Sequence, residues 1–127
     1  MRAFYSLAAA TIMMAAPASA GEIRAFDRAA FQALQARNAS TVVFVHASWC
    51  PICRAQETTI GKLLSTPAYR NVTVLTIDYD TQKPLWTSLG AQKQSTLIAF
   101  HGRRETARLA YDANPKNVTA LVASALR

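Results

Sequence analysis

Cys50 and Cys53 are the only cysteines of the 127-residue chain, and they stand two residues apart in the run His46-Ala47-Ser48-Trp49-Cys50-Pro51-Ile52-Cys53-Arg54. At this spacing both sulfurs meet on the first turn of a helix, close enough to bridge within ordinary disulfide geometry. A bridge across so small a loop stabilises only at the bottom of the ~0–5 kcal/mol range for disulfides, which favours a bond that is made and broken over a staple. Cys50 is expected at the helix N-terminus, where unpaired N–H groups and the helix dipole favour a thiolate, the species that attacks disulfides. Cys53, one turn further in, is expected to be more buried and to act as the resolving thiol. Pro51 suits the first turn, where its missing N–H costs nothing. This chemistry requires the Cys50 sulfur to be solvent-accessible and ionisable, with Cys53 poised behind it.

The same stretch allows a second chemistry. His46, Cys50 and Cys53 supply three ligands within eight residues, enough for a copper or zinc carrier. A closed zinc site wants a fourth ligand and the chain has no second cysteine pair, so redox exchange is preferred. His46 could tune or deprotonate the thiols; its plainer role is a partly exposed strand-end histidine bonded to backbone. His101 reads as a solvated turn residue. Glu57, one turn beyond Cys53, reads as a partner-binding or surface carboxylate.

The elements that must position the pair are legible on either side of it. Residues 41–45 form an apolar, β-branched run that predicts a strand buried on both faces, as in the middle of a mixed sheet. A helix is expected from the cysteines to about Ser65, stopped by Thr66-Pro67, with Ile60, Leu63 and Leu64 as its core face. Residues 71–78 predict a second central strand, and strand-helix-strand implies a parallel, right-handed crossover. Upstream, residues 22–26 suggest an edge strand, and Asp27 caps a helix to about Arg37 with Ala30, Phe31 and Leu34 on one face. Downstream, a short helix over 82–89 ends at Gly90. Strands over 96–101 and 105–111 form a hairpin about residues 101–104. Asn114 caps a last helix, with Pro115 at its first position and Val118, Leu121, Val122 and Leu126 as its apolar face.

Residues 1–20 read as a cleaved signal peptide: Arg2, an apolar stretch over 3–16, and the small residues Ala18-Ser19-Ala20, with cleavage expected before Gly21. The stretch is short for a membrane span, and no cysteine follows it to take a lipid. Residues 21–127 are then the size of one small α/β domain. Export predicts a periplasmic protein in an oxidising compartment, where a reducing enzyme needs electrons delivered from elsewhere. The formal net charge of +7 falls to +6 when Arg2 leaves. The cations are scattered and lack interleaved aromatics, which argues against a nucleic-acid partner; a solvated basic surface, with a bias toward acidic partners or headgroups, is the simpler reading. A monomer is expected.

With Trp49-Cys50-Pro51-Ile52-Cys53-Arg54 after a buried strand, Asp78 closing the next strand, and Ser95-Thr96-Leu97-Ile98-Ala99-Phe100-x-Gly102 opening the hairpin, the chain resembles the thioredoxin family over essentially all of residues 21–127. The resemblance implies the α/β thioredoxin fold, a mixed central sheet of four to five strands flanked by helices on both faces. It implies a protein-disulfide reductase, a thiol-disulfide oxidoreductase acting on protein disulfide substrates, with Cys50 attacking and Cys53 resolving. Trp49 would be a packing and docking residue beside them, or a plain half-buried core aromatic. No cofactor is expected, because nothing in the sequence binds nicotinamide or flavin, so the resemblance implies a membrane thiol-electron donor. The Cys-Pro-x-Cys-Arg-Ala form is also similar to the periplasmic reductases of cytochrome c maturation, which carry an insertion for which this chain has no room.

Three positions depart from the family pattern. Ser95, next to Thr96, stands where a cis-proline faces the disulfide. Either the loop is trans and reshaped, or its surroundings hold a cis bond costing ~3–4 kcal/mol, and a hydroxyl and an N–H are placed near the sulfurs. Phe44 replaces a buried acid, leaving its proton-relay role absent or passed to another group, with His46 the nearest titratable candidate. Val74 replaces a strand-end lysine. The lack of a histidine between the cysteines leans the pair toward reductant.

Overall fold

A computed structural model describes residues 11–12 and 21–127. The signal peptide expected over residues 1–20, with its cleavage site, lies outside the described residues, Thr11 and Ile12 apart. The elements are β1 (Glu22–Ala25), α1 (Arg28–Ala36), β2 (Ser40–His46), α2 (Pro51–Leu64), a single 3-10 turn (Pro67–Tyr69), β3 (Val72–Asp78), α3 (Lys83–Ser88), β4 (Thr96–His101), β5 (Arg104–Ala110) and α4 (Pro115–Ser124). No helix among the described residues is long and apolar enough to cross a membrane.

The five strands form one mixed sheet in the order β1-β3-β2-β4-β5. β1 and β2 run parallel to β3, while β4 is antiparallel to both β2 and β5. The central position of β2 follows from its composition, since every residue from Ser40 to Val45 is buried and only a strand with neighbours on both edges and helices on both faces can hide them all. Its alternation then sorts two cores. Val42 and Phe44 pack with Ile60 and Leu64 of α2 and Val118, Leu121 and Val122 of α4. Val43 and Val45 point the other way, to Phe31 and Leu34 of α1 and Trp86 of α3.

Local signals set the helix ends. Asp27 accepts the Ala30 N–H at 2.9 Å, and Asn114 accepts the Lys116 N–H at 2.9 Å, each satisfying an orphan donor of a first turn. Gly90, at φ +76°, lets the chain leave α3 in a conformation that a Cβ disfavours. Two expectations need correcting. Leu126 does not join the apolar face of α4: the helix ends at Ser124, Ala125 fills the buried position, and Leu126 is exposed. His101 is no solvated turn residue, because its Nδ1 lies 2.8 Å from the carbonyl oxygen of Ala125 and so clips the end of α4 to β4.

Candidate active site

β2 delivers the chain to the site. After His46 the backbone turns at Ala47, whose carbonyl accepts the Cys50 N–H at 3.2 Å, and Cys50 becomes the N-cap of α2 in an extended conformation. Its sulfur takes the part that a serine or aspartate oxygen plays at most caps, accepting the Cys53 N–H at 3.1 Å. Pro51 occupies the first turn as expected. Both cysteines are free thiols.

Ser95 closes the site from the loop before β4. No peptide bond among the described residues is cis, so this loop is trans and reshaped, with Ser95 at φ +63°. Its N–H is not beside the sulfurs but is spent on the Val45 carbonyl at 2.8 Å. Its hydroxyl lies 3.0 Å from Cys50 Sγ and 3.1 Å from Cys53 Sγ. The Thr96 hydroxyl turns away and donates to the Lys93 carbonyl at 2.8 Å.

The expectation of a solvent-accessible sulfur is corrected by the structure. Cys50 keeps only 2% of its surface open and Cys53 none, with the equally buried Ser95 hydroxyl against both sulfurs and Phe44, Ala47 and Leu97 in the same core cluster. The relative order still stands, with Cys50 at the rim and Cys53 behind. Burial is the largest influence on both thiols and pushes both up. At Cys50 it is outweighed by hydrogen bonds from the Cys53 side chain, the Ser95 hydroxyl and the Cys53 and Ile52 backbone, so this thiol ionises below the ordinary value. At Cys53 burial is reinforced by the neighbouring Cys50 and only partly offset by Ser95 and backbone, so it stays protonated above the ordinary value. The pair is therefore set so that Cys50 ionises before Cys53.

His46 does not meet the thiols. Its Nε2 lies 3.3 Å from Glu57 Oε2, and its ring stands edge-on to Phe44 with centroids 5.3 Å apart. That nitrogen is shielded from water and has no aligned hydrogen-bond partner, so Glu57 approaches it without making a hydrogen bond. The expected backbone bond is thus replaced by a carboxylate. The three-ligand set of His46, Cys50 and Cys53 is not assembled either: among the described residues no group of three or more His, Cys, Asp or Glu side chains could hold a metal ion. Imidazole facing Glu57 rather than the sulfurs is the physical reason.

Trp49 is 54% exposed, which removes the core-aromatic alternative. Its Nε1 donates to Asp80 Oδ2 at 2.9 Å and its ring meets Tyr79 edge-on, while Tyr79 stacks on the buried Trp86 at 5.0 Å. Sequence reasoning missed Gln56. This residue is wholly buried, and its Nε2 donates to the carbonyls of both Ser95 and Asp112 at 3.0 Å. The available signal was a polar residue on the core stripe Cys53, Gln56, Ile60, Leu64 of α2.

Comparison with known proteins adds to this geometry. The family profile described as Thioredoxin matches residues 22–124. A crystal structure of Trxlp from Edwardsiella tarda is similar at 32% identity, covering 80% of this chain and 98% of that one, with a TM-score of 0.75. Thioredoxin Mala s 13 from Malassezia sympodialis shares the fold at 19% identity, covering 83% of this chain and 94% of its own, with a TM-score of 0.70. The germline-specific thioredoxin Deadhead from Drosophila melanogaster does so at 23% identity, covering 80% and 94%, with a TM-score of 0.64. Among curated protein sequences nothing matches.

Proposed function

This chain belongs to the thioredoxin family, whose members are thiol-disulfide oxidoreductases acting on protein disulfides, and from that premise we propose that it is an exported reductase of protein disulfides. The observation that carries the proposal is the split pair, a thiol held low at the helix tip beside one held high behind it. Cys50 thiolate attacks a substrate disulfide and one substrate thiol leaves. Cys53 then attacks Cys50 Sγ, the second substrate thiol leaves, and two electrons have passed to the substrate as the Cys50–Cys53 bridge forms. The near-complete burial of Cys50 favours substrates that present a disulfide on a protruding segment, with Trp49 as the exposed surface they dock against.

Reduction is the favoured direction because the Cys50 thiolate is supported by neutral donors alone, with no imidazolium between the cysteines. A potential nearer about −270 mV than about −120 mV is the expected outcome. Export to the periplasm is supported by the leader-like composition of residues 1–20. A monomer recharged by a membrane-borne thiol carrier completes the proposal.

Insulin-disulfide reduction tests the chemistry: the wild-type protein is active and Cys50→Ser is not, and equal activity of the two would overturn it. Covalent trapping by Cys53→Ser names the clients, apocytochromes alone marking a maturation role and a broad set a general reductant.

A further inference from the structure

Between the two sulfurs lies a hydroxyl that the reaction just described does not use. Ser95 Oγ is within 3.1 Å of both, and Ser95 has no exposed surface. Its placement is enforced. A residue with a Cβ at φ +63° carries strain of about 1–3 kcal/mol and stays there only where its surroundings over-determine it. Here the Ser95 N–H is held by Val45, and its carbonyl accepts both the Tyr111 N–H at 3.1 Å and the Gln56 amide at 3.0 Å. Gln56 sits one turn beyond Cys53 on α2, so the hydroxyl is tied to the helix that carries the thiols.

The second half of the reaction needs such a group. Cys53 must lose its proton to attack, yet it has no contact with water through which to lose it. The neighbouring titratable groups are engaged elsewhere: His46 faces Glu57, Asp80 holds the Trp49 indole, and Asp112 accepts from the Asn114 backbone and the Asn117 side chain. Among the described residues, the only side-chain hydroxyl, carboxylate or imidazole hydrogen-bonded to Cys53 Sγ is that of Ser95.

We propose, resting on the disulfide-reductase reading above, that the Ser95 hydroxyl is a catalytic proton relay between Cys53 and the departing substrate thiolate. A hydroxyl has one proton and two lone pairs, so it can donate to one of the two sulfurs while accepting from the other. In the mixed disulfide the substrate sulfur is one bond, about 2.05 Å, from Cys50 Sγ, which itself lies 3.0 Å from the same hydroxyl. Cys53 Sγ bonds to Cys50 Sγ, the bond from Cys50 to the substrate sulfur breaks, and its electron pair leaves on the substrate sulfur. The Cys53 proton moves to Ser95 Oγ as the serine's own proton moves to the departing thiolate, and the serine ends as it began. The two cysteines are oxidised and the substrate disulfide is reduced.

Single-turnover reduction of a dialkyl disulfide by the dithiol protein, compared among wild type, Ser95→Ala and Ser95→Gly, tests this. Glycine keeps the left-handed backbone if alanine perturbs it. Loss of a proton-transfer group predicts resolution of the mixed disulfide slowed about tenfold or more at neutral pH in both variants, recovering at alkaline pH where Cys53 ionises unaided. A structural role alone would not produce that pH-dependent recovery. A wild type that resolves normally, with both variants resolving at its rate across pH, overturns the relay and leaves the reductase standing. A wild type that reduces no disulfide overturns both.

Discussion

At the scale of single residues, opposite shifts of the two thiols make the stability of the reduced protein depend on pH in a definite way. Cys50 ionises below the ordinary thiol value, so the stability it contributes is present above that value and is lost as pH falls through its folded pKa. Cys53 is held up, so its contribution is complete below the ordinary value and is lost as pH rises toward its folded pKa. The thiol-dependent stability of the dithiol form should therefore peak near the ordinary thiol value of about 8.5. Denaturant titrations across pH should show this peak for the dithiol form and none for the disulfide form. Gln56 gives a second prediction. Gln56→Leu leaves the Asp112 carbonyl without its amide donor and removes one of two donors to Ser95, a loss of about 1–3 kcal/mol, eased because the Gln56 Oε1 already lacks a partner. A denaturant midpoint unchanged from wild type would refute that account. Cys50, Cys53 and Pro51 were legible because spacing alone fixes their place on one turn. The covering of the sulfurs was not, because Ser95 reaches them across more than forty residues through a left-handed backbone that its type does not announce.

At the scale of elements, α1 and α4, on opposite faces of the sheet, are held at their starts by the side chains of Asp27 and Asn114. Asp27→Ala and Asn114→Ala should each cost about 1 kcal/mol, since each leaves an N–H of a first turn unsatisfied. Because α1 packs on one face and α4 on the other, the two losses should add, and a double-mutant cycle with a coupling well above about 0.5 kcal/mol would contradict the two-core description. Phe44→Ala should cost more, about 3–5 kcal/mol, because the ring is almost wholly buried beneath the thiols and its removal leaves a cavity there. These caps, the β-branched run of β2 and the stop at Pro67 were readable from local sequence, since each acts within four residues of itself. The clip between His101 and Ala125 spans twenty-four residues, and His46 finds Glu57 across the start of α2, so neither histidine's partner could be read from its neighbours in the chain.

At the scale of the whole molecule, the order of elements pointed to a mixed sheet of four to five strands, and the structure has five, because parallel strands on either side of a helix and a hairpin after them leave few other arrangements. Gly21 N–H points at the carbonyl of Leu64, the last residue of α2, and a Cβ built on Gly21 would stand 2.6 Å from Leu64 Cδ2 and 2.7 Å from the Tyr69 carbonyl oxygen. If cleavage falls after Ala20, it turns that amide nitrogen into an ammonium set against the negative end of α2, a favourable contact of about 0.3–1 kcal/mol. The chain beginning at Gly21 should therefore be slightly more stable at neutral pH than the uncut chain. That gain belongs to a protonated amine, so it is present at lower pH and fades as pH rises past the ordinary amino-terminal range of about 7.7–8.0. Gly21→Ala in the cut chain should abolish it by pushing the terminus off Leu64 and Tyr69. Paired thermal unfolding of cut and uncut chains across pH decides the matter, and a difference that ignores pH would rule out the ammonium contact.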